Sequence, residues 1–250
     1  MKALVTGASS GIGRDIARVL SSLGYEIYAA ARRTDRLEEL KKELKTPVHV
    51  ISCDLSEKEN CIKLYNDLKG ENIDVLVNNA GFGIFGEFSK IPLEKELDML
   101  ATNVTALHIL TKLFLCGFKE RGKGYILNVG SSAGFTVGPL LSSYYASKTY
   151  VLRLTQAVYR ELKKENSPVH ISVLCPGPVR TEFDEVANVK FSLKGLNSMD
   201  VAKYAVKKMF ENKCVIIPGF AIKASVAATK LLPDNFVSKI TYHIQHKKQG

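Results

Sequence analysis

The sequence predicts an α/β fold: one doubly wound domain whose central parallel sheet of about seven strands carries helices on both faces. Three observations lead there. Short apolar or β-branched runs alternate with longer amphipathic ones along the 250 residues. The short runs are apolar throughout instead of alternating with polar residues, which means burial on both faces and hence a parallel sheet. The first of them passes directly into a glycine-rich turn that opens a helical stretch. A composition of 46% hydrophobic and 24% charged residues excludes global disorder and is enough to build a sizeable core. Because no Pro/Ser/Gly-rich linker or repeat interrupts the pattern, residues 1–250 read as a single domain.

In chain order, the strand candidates are Ala3 to Thr6, Glu26 to Ala31, Val48 to Cys53, Val75 to Asn78, Tyr125 to Val129, Ile171 to Leu174 and Val215 to Ile217. Each is too short for a helix and dense in Val, Ile, Leu or Ala. Helical stretches lie between them: Ile12 to Leu23, Asp35 to Leu44, Glu57 to Leu68, Val104 to Phe118 and Ser143 to Lys164. The least regular part is Phe183 to Asn197.

Thr6-Gly7-Ala8-Ser9-Ser10-Gly11-Ile12-Gly13 stands where the first strand becomes the first helix. Backbone N–H groups and the helix dipole can hold a pyrophosphate at such a place, and glycines let the backbone approach it. The spacing is GxxxGxG and not GxGxxG, so it supports a nucleotide site in a Rossmann-type domain without settling the enzyme class. A tight turn shaped only for helix-on-strand packing is the alternative. The second strand ends Ala29-Ala30-Ala31-Arg32-Arg33, where an NAD-binding domain would present an acid to the ribose hydroxyls. Two guanidinium groups there suit a 2′-phosphate, which favours NADP(H) over NAD(H). In the competing reading Arg32, Arg33 and Arg36 form a solvated helix start, with Asp35 close enough to pair with either of the first two.

Tyr144 and Lys148 are four apart in a helical stretch, so they leave the same face and can meet. A tyrosine that exchanges protons near pH 7 must be helped by about 3 pH units, roughly 4 kcal/mol, and a neighbouring ammonium biases it that way. Taken alone, such a pair arises often by chance on helix surfaces.

The pair does not stand alone. From Leu4 to about Ile217 the chain resembles the short-chain dehydrogenase/reductase family in motif content, order and spacing. The resemblance rests on the turn at Thr6 to Gly13, Asp54-Leu55 after the third strand, Asn78-Asn79-Ala80-Gly81 after the fourth, and Asn103. It continues through Asn128-Val129-Gly130-Ser131-Ser132, Tyr144-Tyr145-Ala146-Ser147-Lys148 and Pro176-Gly177-Pro178-Val179-Arg180-Thr181. It implies that Tyr144 is the general acid/base, that Ser131 hydrogen-bonds the substrate oxygen, and that Tyr145 is a bystander. It further implies that Lys148 lowers the tyrosine pKa and binds the nicotinamide ribose, and that Asn103 helps hold a water in a proton relay. Asp54 and Leu55 would meet the adenine, Asn79, Ala80 and Gly81 the ribose side, and Pro176, Gly177, Val179 and Thr181 the nicotinamide and phosphates. With Gly7, Ser9, Ser10, Gly11, Ile12, Gly13, Arg32 and Arg33, these complete the expected cofactor site. Two departures stand out: Gly130 replaces a common serine, which would widen the pocket, and Ser10 replaces a basic residue of some NADP-preferring members, with Arg14 nearby to assist.

Residues 182–198 occupy the place of the family's substrate-covering segment, and Phe183, Val186, Phe191, Leu193 and Leu196 suggest an apolar carbonyl or alcohol substrate. The net charge of +10 is concentrated late: from Val201 onward nine lysines face only Glu211 and Asp234. Residues 219–250 mix Ile222, Val226, Leu231, Leu232, Phe236, Val237, Ile240 and Ile244 with Lys223, Lys230, Lys239, Lys247 and Lys248, predicting basic amphipathic helices broken at Pro233. Capping of the cleft or a subunit interface is the favoured reading of this tail, and peripheral contact with an anionic membrane the less favoured one. The charge is not assigned to nucleic acid. His243 and His246 share a helical face without a third ligand, so no metal is expected. Five scattered cysteines without a CxxC pair read as reduced thiols. With no signal peptide and no apolar run near the roughly 18 residues that span a bilayer, a soluble cytoplasmic protein is expected. The family's habit implies a homodimer or homotetramer. An NADP(H)-dependent oxidoreductase is the favoured function; the alternatives are a non-catalytic NADP(H) sensor and a membrane-associated lipid- or steroid-type reductase.

Overall fold

The computed structural model describes residues 1–183, 195–229 and 231–246. Its strands β1 (Lys2–Thr6), β2 (Glu26–Ala31), β3 (Val48–Ser52), β4 (Val75–Asn78), β5 (Gly124–Val129), β6 (Val169–Leu174) and β7 (Val215–Ile216) form one parallel sheet in the order β3-β2-β1-β4-β5-β6-β7. Around it lie α1 (Gly11–Ser22), α2 (Thr34–Glu43), α3 (Lys58–Leu68), α4 (Leu93–Leu100), α5 (Leu107–Arg121), α6 (Ser142–Lys164) and α7 (Ser198–Phe210). Two further helices, α8 (Phe220–Thr229) and α9 (Asp234–His246), complete the described chain.

The unalternating strands are explained by burial on both sides. Successive strand residues point to opposite faces: Ala3 and Val5 join Ile16 and Leu20 of α1 and Val201, Ala205 and Met209 of α7, whereas Leu4 joins Leu64 of α3 and Leu110, Phe114 and Phe118 of α5. Strand order reverses between β1 and β4, which leave the sheet toward opposite neighbours. In a doubly wound sheet, that divergence opens a crevice at the carboxyl ends of the strands.

Boundaries follow the sequence pattern closely, except around the fifth helix. There α4 runs through a π turn, Ala101–Ala106, into α5. The resulting helix, Leu93–Arg121, is long and apolar enough to cross a membrane. Polar Thr102 and Asn103 interrupt its apolar run, which is why the sequence pattern does not mark it. Its buried side, with Met99, Leu107, Leu110, Phe114 and Phe118, belongs to the interior.

The tail breaks at Pro233 as expected, and the carbonyl of that residue starts α9 by accepting from the N–H groups of Phe236 and Val237. The inward side of α8 sets Ile222 against Gly177, and α9 hangs over the cleft with Thr241 Oγ1 donating to the Val137 carbonyl at 3.1 Å. Thr241 and Gln245 of α9 thereby line the cleft. Lys230, Lys247 and Lys248 fall outside the described residues.

Candidate active site

At the reversal point, a cleft of about 640 Å³ runs from the β1–α1 turn to the underside of α9. Gly7 and Gly11 hold φ of +63° and +55°, which bends the chain so that α1 begins facing the opening. No side chain caps α1, so the N–H groups of its first turn have no side-chain acceptor and, with the helix dipole, suit a pyrophosphate. Opposite, Asn79 Nδ2 donates to the carbonyls of Thr6 and Gly7, each at 3.1 Å, and so locks the β4 loop to the β1 turn. Gly13 lies behind this contact: a Cβ there would collide with Asn79 Nδ2 and the Gly7 carbonyl. It shapes the turn without lining the cleft. The other expected cofactor residues, Gly7, Ser9, Ser10, Gly11, Ile12, Arg32, Arg33, Asp54, Leu55, Asn79, Ala80, Gly81, Pro176, Gly177, Val179 and Thr181, all line it.

At the outer end, Arg33 donates to Ser9 Oγ at 3.3 Å and Ser10 Oγ at 2.9 Å, and Arg32 stands exposed 3.9 Å from Asp54. The acid that meets Arg33 and Arg36 is Glu182, not the Asp35 suggested by proximity in sequence: Glu182 accepts from Arg33 at 2.9 Å and from Arg36. Arg14 does not assist here, because Glu43 and Glu39 draw it to the other side of α1.

At the inner end, α6 presents Tyr144 and Lys148 on one face, both among its buried residues. Ser131, whose Oγ accepts from the Ala133 N–H at 3.1 Å, lines the cleft together with Tyr144. Lys148 Nζ donates to the Val129 carbonyl at 3.0 Å and lies 5.8 Å from the Tyr144 ring centre. Burial dominates both groups: it pushes Tyr144 up to about 12, against the Ser131 hydroxyl, and Lys148 down to about 8. The expected lowering of the tyrosine by the lysine is therefore not what the protein alone displays. Desolvation of the phenol is the largest effect, and the ammonium is directed at a backbone carbonyl. At neutral pH Tyr144 is a phenol, able to donate.

Asn103 does not line the cleft. Its amide donates to the Phe82 carbonyl at 2.8 Å and to Ser147 Oγ at 3.1 Å, and its Oδ1 accepts from the Phe82 N–H at 3.0 Å. These bonds occupy the side chain that was expected to hold a water, and they pin the π turn to the loop after β4. π turns recur at functional sites for this kind of re-aiming. Gly81 is what admits the pair, since a Cβ there would meet Asn103 Oδ1 and come within 3.4 Å of Lys148 Nζ.

A family model described as short chain dehydrogenase matches residues 1–190. The chain belongs to the short-chain dehydrogenase family. Among its relatives, human dehydrogenase/reductase SDR family member 11 is 31% identical over 224 residues, covering 82% of this chain and 86% of that protein. Of solved structures, a short-chain dehydrogenase from Sphingobium yanoikuyae in complex with NADPH superposes with a TM-score of 0.83 at 28% identity, over 92% of each chain. Another, from Burkholderia phymatum in complex with NAD, gives 0.82 at 25% identity over 90% of this chain and 91% of that one. A nicotinamide dinucleotide is thus the cofactor class of the neighbours, and the open N-terminus of α1 with its glycine cradle fits that class.

In this short-chain dehydrogenase Gly130 and Leu196 sit otherwise than expected, and Tyr145 gains a contact. Gly130 does not widen the pocket, because a side chain there would point at Val173 and the Leu174 carbonyl of β6 and at Cys175 just after it. Tyr145, the tyrosine outside the four-residue pair, lines the cleft, and its hydroxyl accepts from Gln245 Nε2 at 2.8 Å. Leu196 pairs backbone with Pro178 and Arg180 and packs into the core instead of covering substrate. Phe183 does reach the site, its ring centre 5.4 Å from that of Tyr144, while Val186, Phe191 and Leu193 lie outside the described residues. Sequence reasoning missed Leu141, Glu182, Thr241 and Gln245, all of which line the cleft. A weak signal existed for the last two, polar residues four apart in an apolar stretch and so on one helical face.

Proposed function

We propose that the protein is an NADP(H)-dependent oxidoreductase that interconverts a carbonyl and a secondary alcohol on an apolar substrate, with Tyr144 as general acid/base. The observation that carries this is the alignment along one cleft of Arg33 with Ser9 and Ser10 at the outer end and Ser131, Tyr144 and Lys148 at the inner end. The nicotinamide, when bound, supplies or accepts the hydride at the substrate carbon. Gly7 to Ile12 would hold its pyrophosphate, Arg33 its 2′-phosphate and Lys148 its ribose. The Ser131 hydroxyl orients the substrate oxygen. Tyr144 donates its phenolic proton to that oxygen in reduction and takes it back in oxidation, and the Lys148 ammonium favours the phenolate left between the two. Phe82, Leu141 and Phe183 wall the space beside Tyr144, which supports an apolar substrate. The ordered acid/base group argues against a non-catalytic sensor.

A cytoplasmic location and assembly into a homodimer or homotetramer belong to the same reading. Exposed Leu93 and Leu97 on α4 and Tyr150 on α6 support the assembly, since they would be covered by a second copy. The deciding experiment follows NADPH and NADH oxidation at 340 nm with a panel of aldehydes, ketones and steroids. Turnover is expected to prefer NADPH and to fall by at least about 10³-fold in Tyr144→Phe, with cofactor binding retained. Undiminished turnover in the variant would remove Tyr144 from the chemistry.

A further inference from the structure

We propose that the outward faces of α8 and α9 form a docking surface for an anionic lipid bilayer. A surface helix ordinarily buries its apolar side and shows solvent its polar one. The arrangement of α8 is different. Its inward side is already apolar, with Ile222 against Gly177 and Val226 buried. Its opposite side is apolar as well: Phe220, Ala224 and Ala227 follow one another at helical spacing, and Leu231 stands exposed in the turn that follows the helix. Phe220 is 87% exposed and Leu231 86%.

In α9 the inward positions are Val237, Thr241 and Gln245, and the outward ones carry Phe236 and Ile240 beside Lys239, His243 and His246. Both helices sit on the same rim, α8 on Gly177 and α9 on Val137 and Tyr145, so their outward sides surround one mouth of the cleft. Large exposed apolar residues rimmed by basic ones are the composition of a helix that lies in a bilayer interface.

The charge decides between occupants. Residues 219–250, which include both helices, carry five lysines, Lys223, Lys230, Lys239, Lys247 and Lys248, against the single acid Asp234. A second copy meeting this face about a two-fold axis would set the same basic surface against itself, which is repulsive. An anionic bilayer offers the opposite charge together with an apolar phase for Phe220, Leu231, Phe236 and Ile240. Neither the cofactor nor the reaction enters this inference.

The chain contains no tryptophan, so Phe220→Trp introduces a single emission probe on the surface in question. With vesicles of phosphatidylcholine and phosphatidylglycerol at low salt, the emission is expected to shift to the blue and the protein to sediment with the lipid. Both effects should weaken as salt rises, because the attraction is screened. Leu231→Ser combined with Phe236→Ser, checked for folding by circular dichroism, should lower the partition coefficient by about tenfold or more. No shift and no co-sedimentation at low salt overturns the proposal. So does equal partition into pure phosphatidylcholine, and so does a blue shift without lipid that grows with protein concentration, the signature of a second copy covering the face.

Discussion

Glu182 stands between Arg33 and Arg36 and one residue past the Thr181 that touches the cofactor turn. Its carboxylate uses the guanidinium donors that a 2′-phosphate would use, so the two anions compete for one clamp. An ion pair this exposed is worth about 0.5–1 kcal/mol, or two- to fivefold in affinity. Glu182→Gln is therefore expected to tighten NADPH by about that factor and leave NADH nearly unchanged in fluorescence titrations. Arg33→Ala should loosen NADPH by about tenfold or more, the value of a charge-assisted hydrogen bond, with NADH within about twofold. Equal changes for both cofactors would sink the clamp. Arg33 was readable because it follows a strand at the place where dinucleotide domains choose their ribose partner. Glu182 was not, because 149 residues separate it from Arg33 and no local pattern links them.

At the scale of elements, the junction of β1 and α1 shows how a helix start is held by a loop far away in sequence. Asn79 clamps the Gly7 carbonyl, and the absence of a side chain at Gly13 is what lets it do so. Gly13→Ala inserts one methyl into that contact, and overpacking of this kind costs about 1–3 kcal/mol. Urea unfolding should show that loss, and NADPH affinity should fall with it because Gly7 is displaced. A variant as stable as the parent would show that the loop yields instead. Helix α6 was legible in the sequence, since Tyr144 and Lys148 are four residues apart and share a face by helix geometry alone. The π turn was not, because it depends on Asn103 reaching the Phe82 backbone. For α9 the amphipathic pattern was visible, but its outcome is mixed: Val237 is buried, Thr241 and Gln245 turn inward to the cleft, and Phe236 and Ile240 stay out.

For the molecule as a whole, the site is held at a cost in stability. Burial brings Lys148 from 10.5 to about 8, and about 1.4 kcal/mol per pH unit makes this a penalty of about 3 kcal/mol on the folded state at neutral pH. Below about 8 both folded and unfolded chains carry the proton and the penalty is complete. Between there and 10.5 the unfolded chain retains a proton that the folded one has lost, so this group makes stability rise with pH. Lys148→Met removes the penalty but leaves the Val129 carbonyl without its donor, at about 1–2 kcal/mol. The variant is thus expected to be inactive, yet more stable than the parent by about 1–2 kcal/mol at pH 7, with the gain shrinking by pH 9.5. Unfolding at the two pH values checks this, and a gain independent of pH would assign it to packing.

The features readable along the chain are those whose cause is local: apolar strands buried on both faces, a glycine turn before a helix, and a tyrosine and a lysine four residues apart on one helix face. Those local patterns were sufficient for the doubly wound sheet, while most of the cleft lining was readable through the family resemblance in motif order and spacing. Strand order, the Glu182 clamp, the Gln245 contact with Tyr145 and the outward apolar face of α8 came only with the packed molecule. Each joins residues distant in sequence, and hydrophobic periodicity says that a face will be buried without saying against what.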